Sequence, residues 1–124
     1  MSSDVGRMKS AIAKAFDKRK FARIPIQLKV DVESPNSHYL FEYSTNLSQN
    51  GIFIQTMEPE LPGTLIILQF SLPNDHVIRT RGEVMWVNSV DAEEDEPGMG
   101  IKFLGISNED RDSILAALKK VAIL

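Results

Sequence analysis

From Ile24 to Glu33 the chain alternates apolar and polar residues one for one: Ile24, Ile26, Leu28, Val30 and Val32 against Pro25, Gln27, Lys29, Asp31 and Glu33. A side-chain period of two belongs to a β-strand with one face on a core and the other on water. Such a strand cannot stand alone, because both of its edges carry backbone donors and acceptors that need partners. Pro25 falls near the start of the segment, where a missing backbone donor is tolerated. Five more strand-like segments follow at Tyr39–Thr45, Gly51–Thr56, Thr64–Leu72, Val77–Asn88 and Met99–Leu104. Turn-forming clusters divide them, among them Ser34-Pro35-Asn36-Ser37, Glu58 to Gly63, Pro73-Asn74-Asp75 and Pro97-Gly98. Short antiparallel strands at this spacing form a barrel or a sandwich, and a barrel removes the unpaired edges. The expected fold is therefore all-β with flanking helices: a six-stranded antiparallel β-barrel. Within the fifth strand Ile78, Thr80, Gly82, Val84, Trp86 and Asn88 share one face, so Trp86 is expected as a core anchor rather than a stacking platform.

The helices lie at the two ends. Met8, Ile12 and Phe16 recur every four residues with Ala11 and Ala15 beside them, which predicts an amphipathic helix over residues 5–17. At about three turns it needs a surface to dock on. Near the C-terminus Ser107 offers an N-cap, and Asp110 stands where a capping box places Glu or Gln. Ile114, Leu118 and Val121, widened by Leu115 and Ala122, form the apolar stripe of a second helix packing over one open end of the sheet. The chain divides into an N-terminal helical extension, residues 1–17, and a barrel domain with its C-terminal helix, residues 18–124.

Composition narrows the chemistry. A chain of 124 residues is one domain, long enough to bury a core. Cysteine is absent, which excludes disulfides, thiol nucleophiles and cysteine zinc sites, and His38 and His76 are too few for a histidine-rich metal site. No apolar run approaches the roughly 20 residues of a membrane span. The N-terminus, with Asp4, Arg7 and Lys9, lacks the pattern of a secretory signal, so a cytoplasmic location is expected. Charge is segregated: residues 1–30 hold eight Lys/Arg and two Asp/Glu, within a chain of net charge −3. A solvated tail would look like this, and so would a segment that meets an anion.

Two patterns carry the functional signal, Arg19-x-x-x-Arg23 and Asn46-x-Ser48-x-x-Gly51. Arginine presents a planar fork that grips a phosphate, or O6 and N7 of guanine, with two parallel hydrogen bonds; lysine has the charge without the fork. The second pattern has a local reading too, since Asn50-Gly51 between strands is a hairpin turn signal and Asn46 and Ser48 could bond nearby backbone. In this order, just ahead of the short strands, the two patterns resemble the signature of the PilZ domain family, stand-alone single-domain type. Gly51-Ile52-Phe53-Ile54, Leu61-Pro62-Gly63-Thr64, Gly82-Glu83-Val84-Met85-Trp86-Val87 and Gly98-Met99-Gly100-Ile101-Lys102-Phe103 resemble its barrel strands, and the resemblance covers roughly residues 18–121.

The resemblance implies a receptor for the bacterial second messenger cyclic di-GMP, bound by Arg19, Arg23, Asn46, Ser48 and Gly51, with Lys18 and Lys20 as secondary contacts. The family has Asp or Asn at the position of Asn46; an amide lacks charge, so its hold on a guanine N–H is weaker than a carboxylate's. The resemblance further implies a bacterial adaptor that acts through a protein effector, in motility or surface behaviour, when ligand orders the basic connector onto the barrel. No cofactor or metal is expected. No phosphate loop or nucleophile–base motif is present, and the carboxylates of Glu93 to Glu96 read as a solvated loop, so an enzyme is not expected. A degenerate scaffold that binds proteins without nucleotide is the alternative. Binding of single-stranded nucleic acid is disfavoured by the absence of a basic stripe interleaved with aromatics.

Overall fold

The alternating segment does form the first wall of a closed sheet, but in two pieces. The computed structural model describes residues 23–35, 38–89 and 96–123. Strand β1 is Ile24–Pro25 and β2 is Lys29–Glu33, both antiparallel to β3, His38–Leu47. β4 (Gly51–Gln55), β5 (Leu65–Ser71), β6 (Val77–Asn88) and β7 (Gly98–Leu104) complete the sheet, and helix α1 spans Asn108–Ile123. Sheet order runs β3-β2-β5-β6-β7-β4, and β4 pairs back onto β3. With β1 and β2 counted as one interrupted strand, this is a six-stranded antiparallel barrel with a C-terminal helix. The expected helix over residues 5–17 lies outside the described residues, as does most of the acidic loop.

A buried side chain bridges the interruption between β1 and β2. Ser44 Oγ accepts from the Leu28 N–H at 2.9 Å and donates to the Ile26 carbonyl at 2.8 Å, replacing contacts the regular ladder would have made. Ser44 is completely buried, so leaving those backbone groups without it would carry a desolvation cost. Sequence periodicity passes straight through the break because Ile26 and Leu28 still pack on the core beside Ile24, Val30 and Val32.

The core collects the inward faces of every strand and the inner stripe of α1, where Ile114, Ala117 and Leu118 are buried. At the helix start Ser107 Oγ accepts from the Asp110 N–H at 3.1 Å, which is the expected cap. The Asp110 carboxylate turns elsewhere: its Oδ1 lies 2.8 Å from His76 Nε2, tying α1 to the β5–β6 turn.

Trp86 departs from its expected place. β6 and β7 slip register between Val84, opposite Ile101, and Trp86, opposite Gly100, leaving Met85 as the extra residue of a β-bulge. Before the bulge Ile78, Thr80, Gly82 and Val84 point inward; after it Val87 packs on the core and Trp86 turns outward, 38% exposed. One inserted residue reverses the parity of every side chain beyond it.

Leu68 is fully buried at the centre of β5, opposite Val32 on one side and Thr80 on the other. Leu68→Ala should lower unfolding free energy by about 2–5 kcal/mol, the range for a large core cavity, as read from urea denaturation.

Candidate functional site

The β3–β4 turn is built by Ser48. Its Oγ accepts from the N–H groups of Asn50 (3.3 Å) and Gly51 (3.2 Å) and donates to the Gly51 carbonyl at 3.3 Å, while the Ser48 N–H donates to that same carbonyl at 2.9 Å. The Phe103 N–H donates to the Asn50 carbonyl at 2.8 Å and fixes the turn to β7. Gly51 is required because a Cβ at that position would overlap the Ile101 carbonyl oxygen. Both residues are buried, so the Ser48 hydroxyl holds the loop from inside instead of facing outward.

Asn46, two residues earlier, is partly exposed on β3. A second bulge lies here, between Ser44, opposite Ile54, and Asn46, opposite Phe53, with Thr45 as the extra residue. Register then carries a row across four strands: Asn46 pairs Phe53, Phe53 pairs Gly100, and Gly100 pairs Trp86. Ile52 and Ile54 point into the core, which puts Phe53 on the outer side. Phe53 is nevertheless only 5% exposed, and its ring stacks on Trp86 with centroids 6.2 Å apart and planes 30° apart. At Gly100 a Cβ would overlap Cε2, Cζ2 and Cη2 of Trp86, so the missing side chain is the seat of the indole.

Arg23, directly ahead of β1, closes the cluster. Its Nη1 donates to Asn46 Oδ1 at 3.0 Å, and its guanidinium carbon lies 4.6 Å from the Trp86 ring centroid. The separation is that of a cation–π contact. Arg23 remains exposed, yet the water it loses against its neighbours draws its pKa below the ordinary guanidinium value. It stays charged, and an anion at its free edge would be favoured. Of the residues expected in the site, Arg23 and Asn46 are thus in contact, and Ser48 and Gly51 shape the turn beside them. Arg19, Lys18 and Lys20 lie outside the described residues. Trp86 is the member that strand periodicity missed, since its outward direction depends on a bulge.

A hollow of about 530 Å³ lies elsewhere, toward the open end of the β3–β4 hairpin. Glu42, Tyr43, Gln55, Thr56, Met57 and Glu58 line it. Loss of water, and then the charge of Glu58, raise the Glu42 pKa above the usual carboxylate value. Two carboxylates facing one hollow repel an anion. No group of three potential metal-ligating side chains occurs among the described residues, and none of their helices is long and apolar enough to cross a membrane.

Comparison with known proteins bears on the family and the fold. Residues 17–120 match the family described as PilZ domain. Among solved structures, the Bacillus subtilis inhibitor of motility MotI/DgrA superposes with TM-score 0.74 at 19% identity, over 86% of this chain and 51% of that one. This chain therefore spans about half the length of that protein. The PilZ domain of YcgR from Escherichia coli, determined with c-di-GMP, gives TM-score 0.65 at 14% identity, covering 85% of this chain and 94% of that domain. The PilZ domain of CeSA from a cellulose-synthesizing bacterium gives 0.57 at 12% identity, covering 81% and 97%. No curated protein sequence matches the chain.

The turn and the exposed contact separate by stability. Ser48→Ala strands buried backbone donors and should cost about 1–3 kcal/mol in urea melts, whereas Asn46→Ala should stay within about 0.5 kcal/mol of wild type. Glu42→Gln should stabilise the protein at neutral pH. Because the folded state raises this pKa, ionisation is disfavoured more in the folded than in the unfolded chain, so stability present at low pH is lost as pH climbs through the raised value. The difference between Glu42→Gln and wild type should vanish in acid below the ordinary carboxylate range, as read from melting temperature against pH.

Proposed function

The chain belongs to the PilZ domain family, a family of non-catalytic cyclic di-GMP receptors, and from that premise we propose that it binds cyclic di-GMP through Arg23 and Asn46 and signals through a protein partner. One observation carries this reading. The two sequence patterns, 23 residues apart at their nearest members, meet in the 3.0 Å hydrogen bond from Arg23 Nη1 to Asn46 Oδ1. Both side chains reach the barrel surface, and the arginine brings a charged, planar donor edge suited to a guanine or a phosphate. Arg19 stands four residues before Arg23, a span of at most about 14 Å when extended. A ligand with two guanines and two phosphates is large enough to engage both.

In this reading Ser48 and Gly51 set the shape of the loop that the ligand meets, and Lys18 and Lys20 add positive charge at its rim. Arg23 rests on Asn46 and Trp86, and in this reading ligand draws residues 18–22 onto the barrel through Arg19. Gathering it redirects the N-terminal extension, and a partner in motility or surface behaviour reads the new arrangement. Switches of this kind operate by changing the order of a segment.

Isothermal titration calorimetry of the full chain with cyclic di-GMP tests the reading. Saturable binding is expected, weakened about five- to 150-fold by Arg23→Ala, the equivalent of the 1–3 kcal/mol that a bidentate arginine–base contact contributes. Asn46→Ala should weaken it as well. Slower amide exchange across residues 5–22 on saturation would support the switch. A folded wild type that takes up no ligand would overturn the receptor assignment.

A further inference from the structure

We propose that Trp86 is a positioning residue of this ligand site, a flat rest that aims the Arg23 guanidinium before any ligand arrives. The inference builds on the receptor reading and assigns a part to a residue outside both sequence patterns.

The observations converge on the indole from four sides. Trp86 keeps 38% of its surface exposed on the outside of the barrel, where it adds nothing to the core. Its place there is nevertheless constructed. The Met85 bulge turns it outward, Gly100 leaves it a seat that any Cβ would fill, and Phe53 stacks beside it. Arg23 lies over its ring at 4.6 Å. A guanidinium resting on an aromatic face keeps its N–H groups in the plane of the fork, directed sideways. Asn46 accepts from one terminal nitrogen and fixes rotation within that plane. Ring and amide together determine where the remaining N–H groups point. A long side chain that would otherwise sample many rotamers is thus held ready, and the ordering that binding requires is largely done beforehand.

Trp86 is the chain's one tryptophan, so its emission reports on this contact directly. In the ligand-free full chain, Arg23→Ala should change the intensity or wavelength of that emission. In calorimetric titrations with cyclic di-GMP, Trp86→Leu should weaken binding about two- to thirty-fold, the span of cation–π contributions, and Trp86→Phe should recover most of it. Gly100→Ala should act like Trp86→Leu, by dislodging the ring without altering any group that meets the ligand. In an Arg23→Ala background Trp86→Leu should have no further effect, because the residue it positions is gone. A structural role alone would lower the melting temperature of these variants and leave affinity and the cycle unaffected. Wild-type binding that Trp86→Leu leaves unchanged, or losses that add up in the double variant, would overturn this inference and leave the receptor assignment standing. A wild type that does not bind would overturn both, and the variants that remain folded, Trp86→Phe among them, keep the two cases apart.

Discussion

The pairing of β4 onto β3 closes the sheet, and the rest of the molecule depends on that closure. Without it β3 and β4 would each present a row of unsatisfied backbone groups, and the inward side chains of six strands would have no enclosed space to fill. With it, the sheet seals a core over which α1 is laid. The closing ladder is the hairpin whose turn holds Ser48 and Gly51, so residues that shape the turn beside Asn46 also help to seal the barrel. A glycine at position 51 serves both ends, since the strand that it touches, β7, can approach only if no side chain stands there.

Two inserted residues then gather a polar and an aromatic side chain on one patch of the barrel wall. A regular barrel would present one uniform outer face to solvent, with parity fixed from end to end. Thr45 and Met85 break that parity on β3 and β6, the strands that flank the β4–β7 pair. The amide of Asn46 and the indole of Trp86 come to lie in one register row, with Phe53 and Gly100 between them. Arg23 spans from one to the other. Bulges of this kind re-aim side chains at functional edges, and here a matched pair does so from both sides of one ladder.

Much of the barrel was legible in the sequence because burial writes a period of two. The fifth predicted strand, Val77–Asn88, agrees with β6 at both ends, and the others differ by a residue or two, apart from the break at Ile26–Leu28. The break escaped notice because its cause is a serine on a different strand, Ser44, and periodicity has no view of cross-strand hydrogen bonds. Trp86 escaped for a related reason. Alternation in the sequence runs through Met85 without a break, and a bulge leaves no mark in a hydrophobic pattern. Of the site, Arg23 and Asn46 stood out by residue type and spacing, while their contact is tertiary. Ser48 was readable in two ways, and its hydrogen bonds follow the local one.

β1 has a consequence of its own. The ladder that anchors Arg23 consists of two residue pairs, Ile24 with Leu47 and Pro25 with Asn46, and Pro25 brings no N–H to it. So short a ladder frays far more readily than the long ladders of β5, β6 and β7. Arg23 is on display for as long as those two pairs hold, and, in the proposed reading, the fraction of time they hold multiplies the intrinsic affinity for ligand. Ile24 is itself completely buried, so each opening withdraws an apolar side chain from the core. In the proposed reading, sensitivity to ligand is in this way tied to the local melting of one short ladder, and a change in the packing around Ile24 would retune the response while leaving every group proposed to touch ligand in place.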